Sequence, residues 1–127
     1  MTAWRIAAAL DAEGALSFTT AGDAPLEALS PVELMLAGVA ACFVKSCRIT
    51  MEATGLPPGA VAATVTGTKA ADRPGRVDRI EIRWAMPALP RARAEKVARN
   101  AKRICTVTNS ISAEFTVAAD QSHSSSA

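Results

Sequence analysis

Two of the chain's three cysteines stand in contexts that suit redox chemistry. Cys42 lies inside the apolar run Leu34 to Val44 (LMLAGVAACFV), and Cys105 opens ICTVTNSI just after a charged helical stretch. A thiol within a buried helix and a second at the end of another helix can meet in space. The simplest chemistry of such a pair is a reducible disulfide, and the simplest function is reduction of an oxidant. Each thiol also has a plain packing explanation, because free cysteine is among the most buried residue types. Cys42, in a helix interior, lacks the N-terminal dipole that acidifies thiols. Lys45, three residues on, can stabilise a thiolate or snorkel to water. Thr106, Thr108, Asn109 and Ser110 offer polar groups that could hold an oxidised or anionic sulfur at Cys105. Cys47 reads as structural: five residues after Cys42 on a regular helix, its α-carbon falls roughly 8–9 Å away on a diverging face, beyond disulfide reach.

The wider composition narrows the classes. The chain has 127 residues, 50% of them apolar and 4% aromatic, with no tyrosine. That fits one domain, residues 1–119, followed by a polar, low-complexity tail at 120–127 (QSHSSSA and its flank) expected to be disordered. Abundant alanine lets helices approach closely but buries little area, which leaves room for a homodimer sharing one core. Fourteen basic against twelve acidic residues give a net charge of +2, too balanced for nucleic acid or an anionic membrane as partner. The run Leu34 to Val44 is too short to span a bilayer, and MTAWRIAAALDAEGAL does not read as a secretory signal. A cytoplasmic protein is expected, where cysteine pairs are redox-active or metal-binding more often than structural. Three cysteines and a single His123, in the tail, do not supply four zinc ligands. No CxxC, HExxH or glycine-rich phosphate loop occurs, so neither a metal nor another cofactor is expected.

The elements that must position the thiols are legible as patterns. Ala3–Ala9 and Ala15–Thr19 read as strands joined by a turn at Asp11, Glu13 and Gly14, and 21–29 as a loop. Ser30-Pro31-Val32-Glu33 is an N-cap serine, a proline at the first helical position and a glutamate at the third. The helix it starts should run to Thr54 and stop at Gly55, ahead of Pro57 and Pro58. Its first half is apolar on every side, which predicts burial all round. Val61–Lys69 and Val77–Trp84 read as a hairpin of strands with the turn Asp72-Arg73-Pro74-Gly75; in the second, Ile80, Ile82 and Trp84 face one way and Arg79, Glu81 and Arg83 the other. A second helix is predicted at Arg91–Ile104, with an apolar stripe of Ala94, Val97, Ala98, Ala101 and Ile104 that Cys105 continues. Its basic face lacks interleaved aromatics and reads as solvated surface. Glu114–Val117 is a last short strand.

The segment SPVELMLAGVAACFV resembles the start of the central helix in OsmC-like proteins, the superfamily that includes the organic hydroperoxide resistance proteins. Pro31, Glu33, Leu34, Leu36, Ala37, Ala40, Ala41 and Cys42 match that pattern. KRICTVTNSI resembles the second family motif through Cys105, Val107, Thr108 and Asn109. The separation of 63 positions between the cysteines is close to the family's. The resemblance spans Ser30 to Val117.

The resemblance implies an α+β fold in which antiparallel sheets from two chains wrap long central helices in an intertwined homodimer. It implies a thiol-dependent peroxidase that reduces organic hydroperoxides, with Cys42 as peroxidatic and Cys105 as resolving cysteine, Glu33 as a third catalytic residue, and an external dithiol as reductant. Leu36, Val39 and Phe43 would line an apolar substrate pocket. Hydroperoxide-reducing members pair the thiolate and the glutamate with an N-terminal arginine; Arg5 is the one arginine before the first motif, and Lys45 and Arg48 are the other candidate cations. The acidic residue found one position earlier in the hydroperoxide resistance subgroup is Val32 here, and a proline that often follows the second cysteine is Thr106, which marks a divergent subgroup. The alternative reading is a non-catalytic OsmC-like protein that binds a small apolar or thiol-reactive ligand at the dimer interface.

Overall fold

Alternating apolar residues and well-marked helix ends produce one five-stranded sheet carrying two long helices. The computed structural model describes residues 3–72 and 75–120. In chain order the elements are β1 (Ala3–Leu10), β2 (Leu16–Thr19), α1 (Pro31–Ala53), β3 (Val61–Lys69), β4 (Val77–Ala85), α2 (Arg91–Ile104), α3 (Thr106–Asn109) and β5 (Glu114–Ala119). Two short 3₁₀ turns, Ala21–Asp23 and Leu26–Ala28, occupy the expected loop. The sheet order is β2-β1-β3-β4-β5, antiparallel except for the parallel pair β4–β5. The arrangement is the α+β class expected from the sequence.

The turn between β1 and β2 is built by Asp11, whose Oδ1 accepts the amides of Glu13 (3.0 Å) and Ala15 (2.8 Å), with Gly14 at φ 93°. β3 and β4 pair as the expected hairpin, Val65 opposite Ile82; Arg73 and Pro74 of its turn lie outside the described residues. β4 and β5 run parallel, so the connection must cross the sheet, and α2 with α3 forms that crossover. The Asp120 amide, one residue past β5, donates to the Trp84 carbonyl at 2.7 Å. The rest of the expected tail, with His123, lies outside the described residues.

Inward-facing Ile6, Ala8 and Leu10 on β1, Val61, Ala63 and Val65 on β3, and Ile80, Ile82 and Trp84 on β4 meet Leu36, Val39, Ala40, Phe43, Val44, Cys47 and Met51 from α1. α1 starts at the expected capping box. Ser30 Oγ accepts the Glu33 amide at 3.2 Å, and Glu33 Oε1 accepts the Ser30 amide at 2.9 Å. It ends at Gly55 (φ 74°), where the Leu56 amide returns to the Met51 carbonyl at 2.9 Å, the 6→1 bond of a Schellman motif.

Two expectations about the helices are corrected. α1 is not enclosed all round: Leu34 is 47% and Ile49 55% exposed, and Gly38, Ala41 and Cys42 between them are only half-buried. The sheet and α2 cover the other faces, and among the described residues nothing fully covers this one. On α2, Ala94, Val97, Ala98 and Ala101 are buried as expected, but Ile104 is 37% exposed because the helix ends there. By length and composition α1 is also apolar enough to cross a membrane, unlike the shorter run read from the sequence; most of it is buried as the core helix of this fold.

Candidate active site

The site forms where α1 passes the junction of α2 and α3. Cys42 is the twelfth residue of α1 (Pro31–Ala53), about three turns in on its open face, and half-buried. Cys105 does not continue α2. Its backbone turns extended (φ −72°, ψ 104°), ending α2 and serving as the N-cap residue of α3. The four-residue α3 was not expected from the sequence. It is held by its own polar residues: the Asn109 amide and the Thr108 hydroxyl both donate to the Cys105 carbonyl at 3.1 Å. This kink swings the Cys105 side chain fully into the interior.

The result is a sulfur pair. Cys105 Sγ lies 3.1 Å from Cys42 Sγ, within hydrogen-bond reach, with both cysteines free. A disulfide bond needs about 2.05 Å, so about 1 Å of approach joins them. Cys42 is half-buried and Cys105 is fully buried. Cys47 is buried and unpaired by any bond, and burial pushes its thiol far above the ordinary range, with the nearby Cys105 adding to the effect.

Burial also raises the Cys42 thiol, and the hydrogen-bonded Cys105 sulfur raises it further, since two sulfurs this close do not both carry charge. Two donors pull the other way: the backbone amide of Val107, brought close by the start of α3, and the hydroxyl of Ser46, one helical turn along α1. Neither residue was singled out from the sequence. The i,i+4 spacing of Cys42 and Ser46 within a predicted helix was the available signal for one; the amide of Val107 has none, because it depends on the backbone kink.

The other candidates sit elsewhere. Glu33 is nine residues before Cys42, roughly 13 Å along the helix axis, and its carboxylate is engaged in the capping box. It lines a groove of about 410 Å³ with Ala3, Trp4, Arg5, Ala21 and Thr66, so Arg5 and Glu33 share a groove that does not include the sulfur pair of the same chain. Arg48 is committed elsewhere: one terminal nitrogen donates to the carbonyls of Asp11 (2.6 Å) and Gly59 (3.1 Å), tying α1 to two loops. Lys45 is exposed on the open face. Leu36, Val39 and Phe43, expected to line a pocket, are fully buried against the sheet. They lie on the side of α1 turned away from its open face, because positions 36, 39 and 43 form the core stripe while 34, 38, 41, 45 and 49 form the other. Among the described residues no cluster of three or more His, Cys, Asp or Glu side chains could hold a metal.

A family model of OsmC-like proteins matches residues 22–120. The chain belongs to the OsmC-like family. Solved structures with the same fold include an organic hydroperoxide resistance protein OsmC from Legionella pneumophila, at TM-score 0.67 and 21% identity over 91% of this chain and 96% of that one. Another is described as an osmotic stress induced and detoxification response protein, from Psychrobacter arcticus, at TM-score 0.62 and 24% identity over 85% and 82%. A third is the organic hydroperoxide resistance protein OhrB of Bacillus subtilis, at TM-score 0.59 and 15% identity over 94% and 98%. The comparison with curated proteins finds no match. At these identities the likeness is one of fold. The OsmC-like match takes in both cysteines, the open face of α1 and the α2–α3 junction.

Proposed function

We propose that this OsmC-like chain is a thiol-dependent peroxidase that reduces organic hydroperoxides through Cys42 and Cys105. The observation that carries the reading is the 3.1 Å approach of two sulfurs separated by 63 positions, one on a half-buried and the other on a fully buried residue. Structural neighbours named as hydroperoxide resistance proteins support a role in oxidative stress.

The Cys42 thiolate attacks the terminal oxygen of the hydroperoxide. The S–O bond forms as the O–O bond breaks, leaving a sulfenic acid on Cys42 and an alkoxide that takes a proton to become the alcohol. Cys105 then attacks the sulfenic sulfur, forming the disulfide and releasing water. An external dithiol reduces that disulfide by exchange, becoming oxidised itself and restoring both thiols. Cys42, as the accessible sulfur, meets both peroxide and reductant.

The chain acts as a homodimer in the cytoplasm in this reading. The apolar open face of α1, with Leu34 and Ile49 exposed and small residues between them, is the surface a second copy would cover. Glu33 belongs to the site only through such an interface, because within one chain it is two and a half turns from Cys42. The raised Cys42 thiol favours one competing reading, a non-catalytic protein that binds a small apolar or thiol-reactive ligand beside the cysteine.

The test is peroxide consumption by reduced protein given an organic hydroperoxide and a dithiol. Turnover that disappears in Cys42→Ser supports the peroxidase. Absence of turnover with the wild-type chain, or turnover unchanged in Cys42→Ser, ends it.

A further inference from the structure

Charge is unevenly spread along this chain. α2 carries six of its fourteen basic residues and one of its twelve acidic ones, so the helix is +5 and the remaining eight against eleven leave the rest of the chain at −3. That loading works against the helix itself. Arg91 and Arg93 sit in the first turn, at the positive end of the helix dipole, and no acidic residue shares that turn. Arg93 with Lys96, Lys96 with Arg99, and Arg99 with Arg103 are like charges at three- or four-residue spacing, which repel. Glu95, the one acid on α2, pairs with Arg91 at 3.7 Å. Lys102 stands over the Phe115 ring, and Arg103 bonds Asn100. Arg93, Lys96 and Arg99 make no ion pair among the described residues. Lys96, Arg99 and Arg103 are exposed and form a ridge on the side of α2 opposite its buried stripe. At the foot of the ridge a cavity of about 430 Å³ opens between α2 and the end of α1. Arg93, Lys96 and Asn100 line it from α2, Thr50 and Thr54 from the other side, and no carboxylate does. Asn100 Nδ2 donates to the buried Thr50 hydroxyl at 3.2 Å, which gives the cavity a polar wall under its two cations.

We propose that the basic ridge of α2 and the cavity at its foot are the docking surface for an acidic protein whose dithiol reduces the Cys42–Cys105 disulfide. The inference rests on the peroxidase reading for its redox cycle and supplies the chemistry by which the reductant is recognised. Placement favours this occupant. α2 runs directly into the sulfur pair: Arg103 is two residues before Cys105, and Arg93 about 15 Å further back along the axis. A partner seated along the ridge, with an acidic side chain in the cavity, presents its dithiol at the end of the helix where Cys42 lies. The ridge stands on the opposite side of α2 from its buried stripe and is separate from the open face of α1 that a second copy would cover. Exposed charges of one sign steer the encounter of a partner of the other sign. Nucleic acid would meet the same charges, but α2 carries no aromatic residue on which a base could stack. In the reaction one partner thiolate attacks the Cys42 sulfur. The S–S bond breaks, and Cys105 leaves as a thiolate and takes a proton. The partner's second thiol then attacks its own sulfur in the mixed disulfide and releases Cys42. The chain gains two electrons and two protons, and the partner ends as a disulfide.

The experiment oxidises the full chain with diamide, which needs no peroxide chemistry, and confirms the Cys42–Cys105 cross-link by peptide mapping. Its reduction is then timed with two peptides that share a Cys-x-x-Cys dithiol, one flanked by glutamates and the other by lysines, with dithiothreitol as the neutral control. At low ionic strength the acidic peptide should react about tenfold faster than the basic one, and the gap should close as salt is added. Lys96→Glu combined with Arg99→Glu should reverse the preference and leave the dithiothreitol rate unchanged. Should that variant not fold, Lys96→Gln combined with Arg99→Gln should shrink the preference without reversing it. Equal rates for the two peptides, or a preference that survives the charge reversal, overturns the proposal. So does a charge reversal that splits a homodimer in sedimentation, which gives the ridge to a second copy, and so does binding of a DNA duplex with no preference between the peptides. If diamide produces no Cys42–Cys105 cross-link, there is no disulfide to reduce and the proposal falls. Peroxide turnover in a protein indifferent to peptide charge sinks the docking surface alone. A clear peptide preference without peroxide turnover sinks the peroxidase reading alone.

Discussion

Closing the Cys42–Cys105 disulfide should change the protein's stability by an amount that its topology sets. The perturbation is one equivalent of an organic hydroperoxide added to reduced protein. The sulfurs start 3.1 Å apart, and the kinked backbone at Cys105, in neither α2 nor α3, is where about 1 Å of closure is absorbed. The bond closes a 63-residue loop in the unfolded chain. In the chain-entropy treatment a loop of that length contributes about 4 kcal/mol. For a domain of this size, with an unfolding entropy near 2.1 cal/mol/K per residue, that is a rise in Tm of about 15 °C, an upper bound that native strain lowers. The assay joins thiol counting, peptide mapping and a thermal melt before and after oxidation. Two thiols should be lost, the cross-link should join Cys42 to Cys105, and Cys47 should remain free until unfolding. In Cys105→Ser a single thiol should be consumed and the rise in Tm should vanish. A cross-link through Cys47, a cross-link between chains, or oxidation with no gain in Tm would refute the argument from this geometry.

Other outcomes follow from the same structure. Arg48→Ala should lower stability by roughly 2–4 kcal/mol in chemical unfolding, because the Asp11 and Gly59 carbonyls lose a charged donor, and should leave the Cys42 alkylation profile unmoved. Phe43→Ala should cost about 3–5 kcal/mol of stability as a core cavity, whereas any effect on the apparent KM for hydroperoxides should be small; a large KM change with unaltered stability would return Phe43 to a substrate pocket. The reduced protein should lose stability above pH 9. The folded Cys42 and Cys47 thiols hold their protons above their ordinary value of 9.0, so their contribution is complete below that pH and drains away as the unfolded chain ionises first. Thermal melts at stepped alkaline pH, with Cys47→Ala showing a shallower decline, check it. Single-turnover peroxide consumption should rise about tenfold per pH unit from pH 6 to 8, since only the thiolate reacts and the thiol titrates higher. A plateau by pH 7 would mean that a cation meets Cys42 in the working assembly.

Much of this architecture is written locally. The capping box at Ser30 and Glu33, the stop at Gly55 and the alternation of Ile80, Ile82 and Trp84 use short-range rules, and those elements appear where the residues place them. The juxtaposition of Cys42 with Cys105 came from matching two separated motifs, not from any periodicity. What escaped depends on tertiary context. A continuous apolar run on α1 looks the same whether a chain buries every face or leaves one to another molecule, so Leu34 and Phe43 read alike but end on opposite sides. Leu36, Val39 and Phe43 read as pocket residues because they flank the cysteine in sequence, while helical geometry turns them toward the sheet. The parallel pairing of β5 follows from the crossover, which no residue in Glu114–Ala119 announces. α3 escaped because one turn of helix lacks a repeat to detect.

The same burial that would favour an organic hydroperoxide works against the nucleophile. Drawing Cys42 out of water raises its thiol, and placing a second sulfur 3.1 Å away raises it again. A surface cation would offset this but would bring its hydration shell to the sulfur. Arg48 cannot serve without abandoning two carbonyls, and Arg5 lines the groove beside Glu33 at the start of the helix. Two neutral donors, the Val107 amide and the Ser46 hydroxyl, offset only part of this. An amide fixed by the α2–α3 kink and a hydroxyl fixed by a helical turn cost little further desolvation, yet their dipoles act most strongly where water is excluded. The kink that aims the Val107 amide is also the one that turns Cys105 inward. Activation of the first sulfur and delivery of the second are therefore coupled through one backbone feature, and a change that straightens α2 into α3 should remove both together.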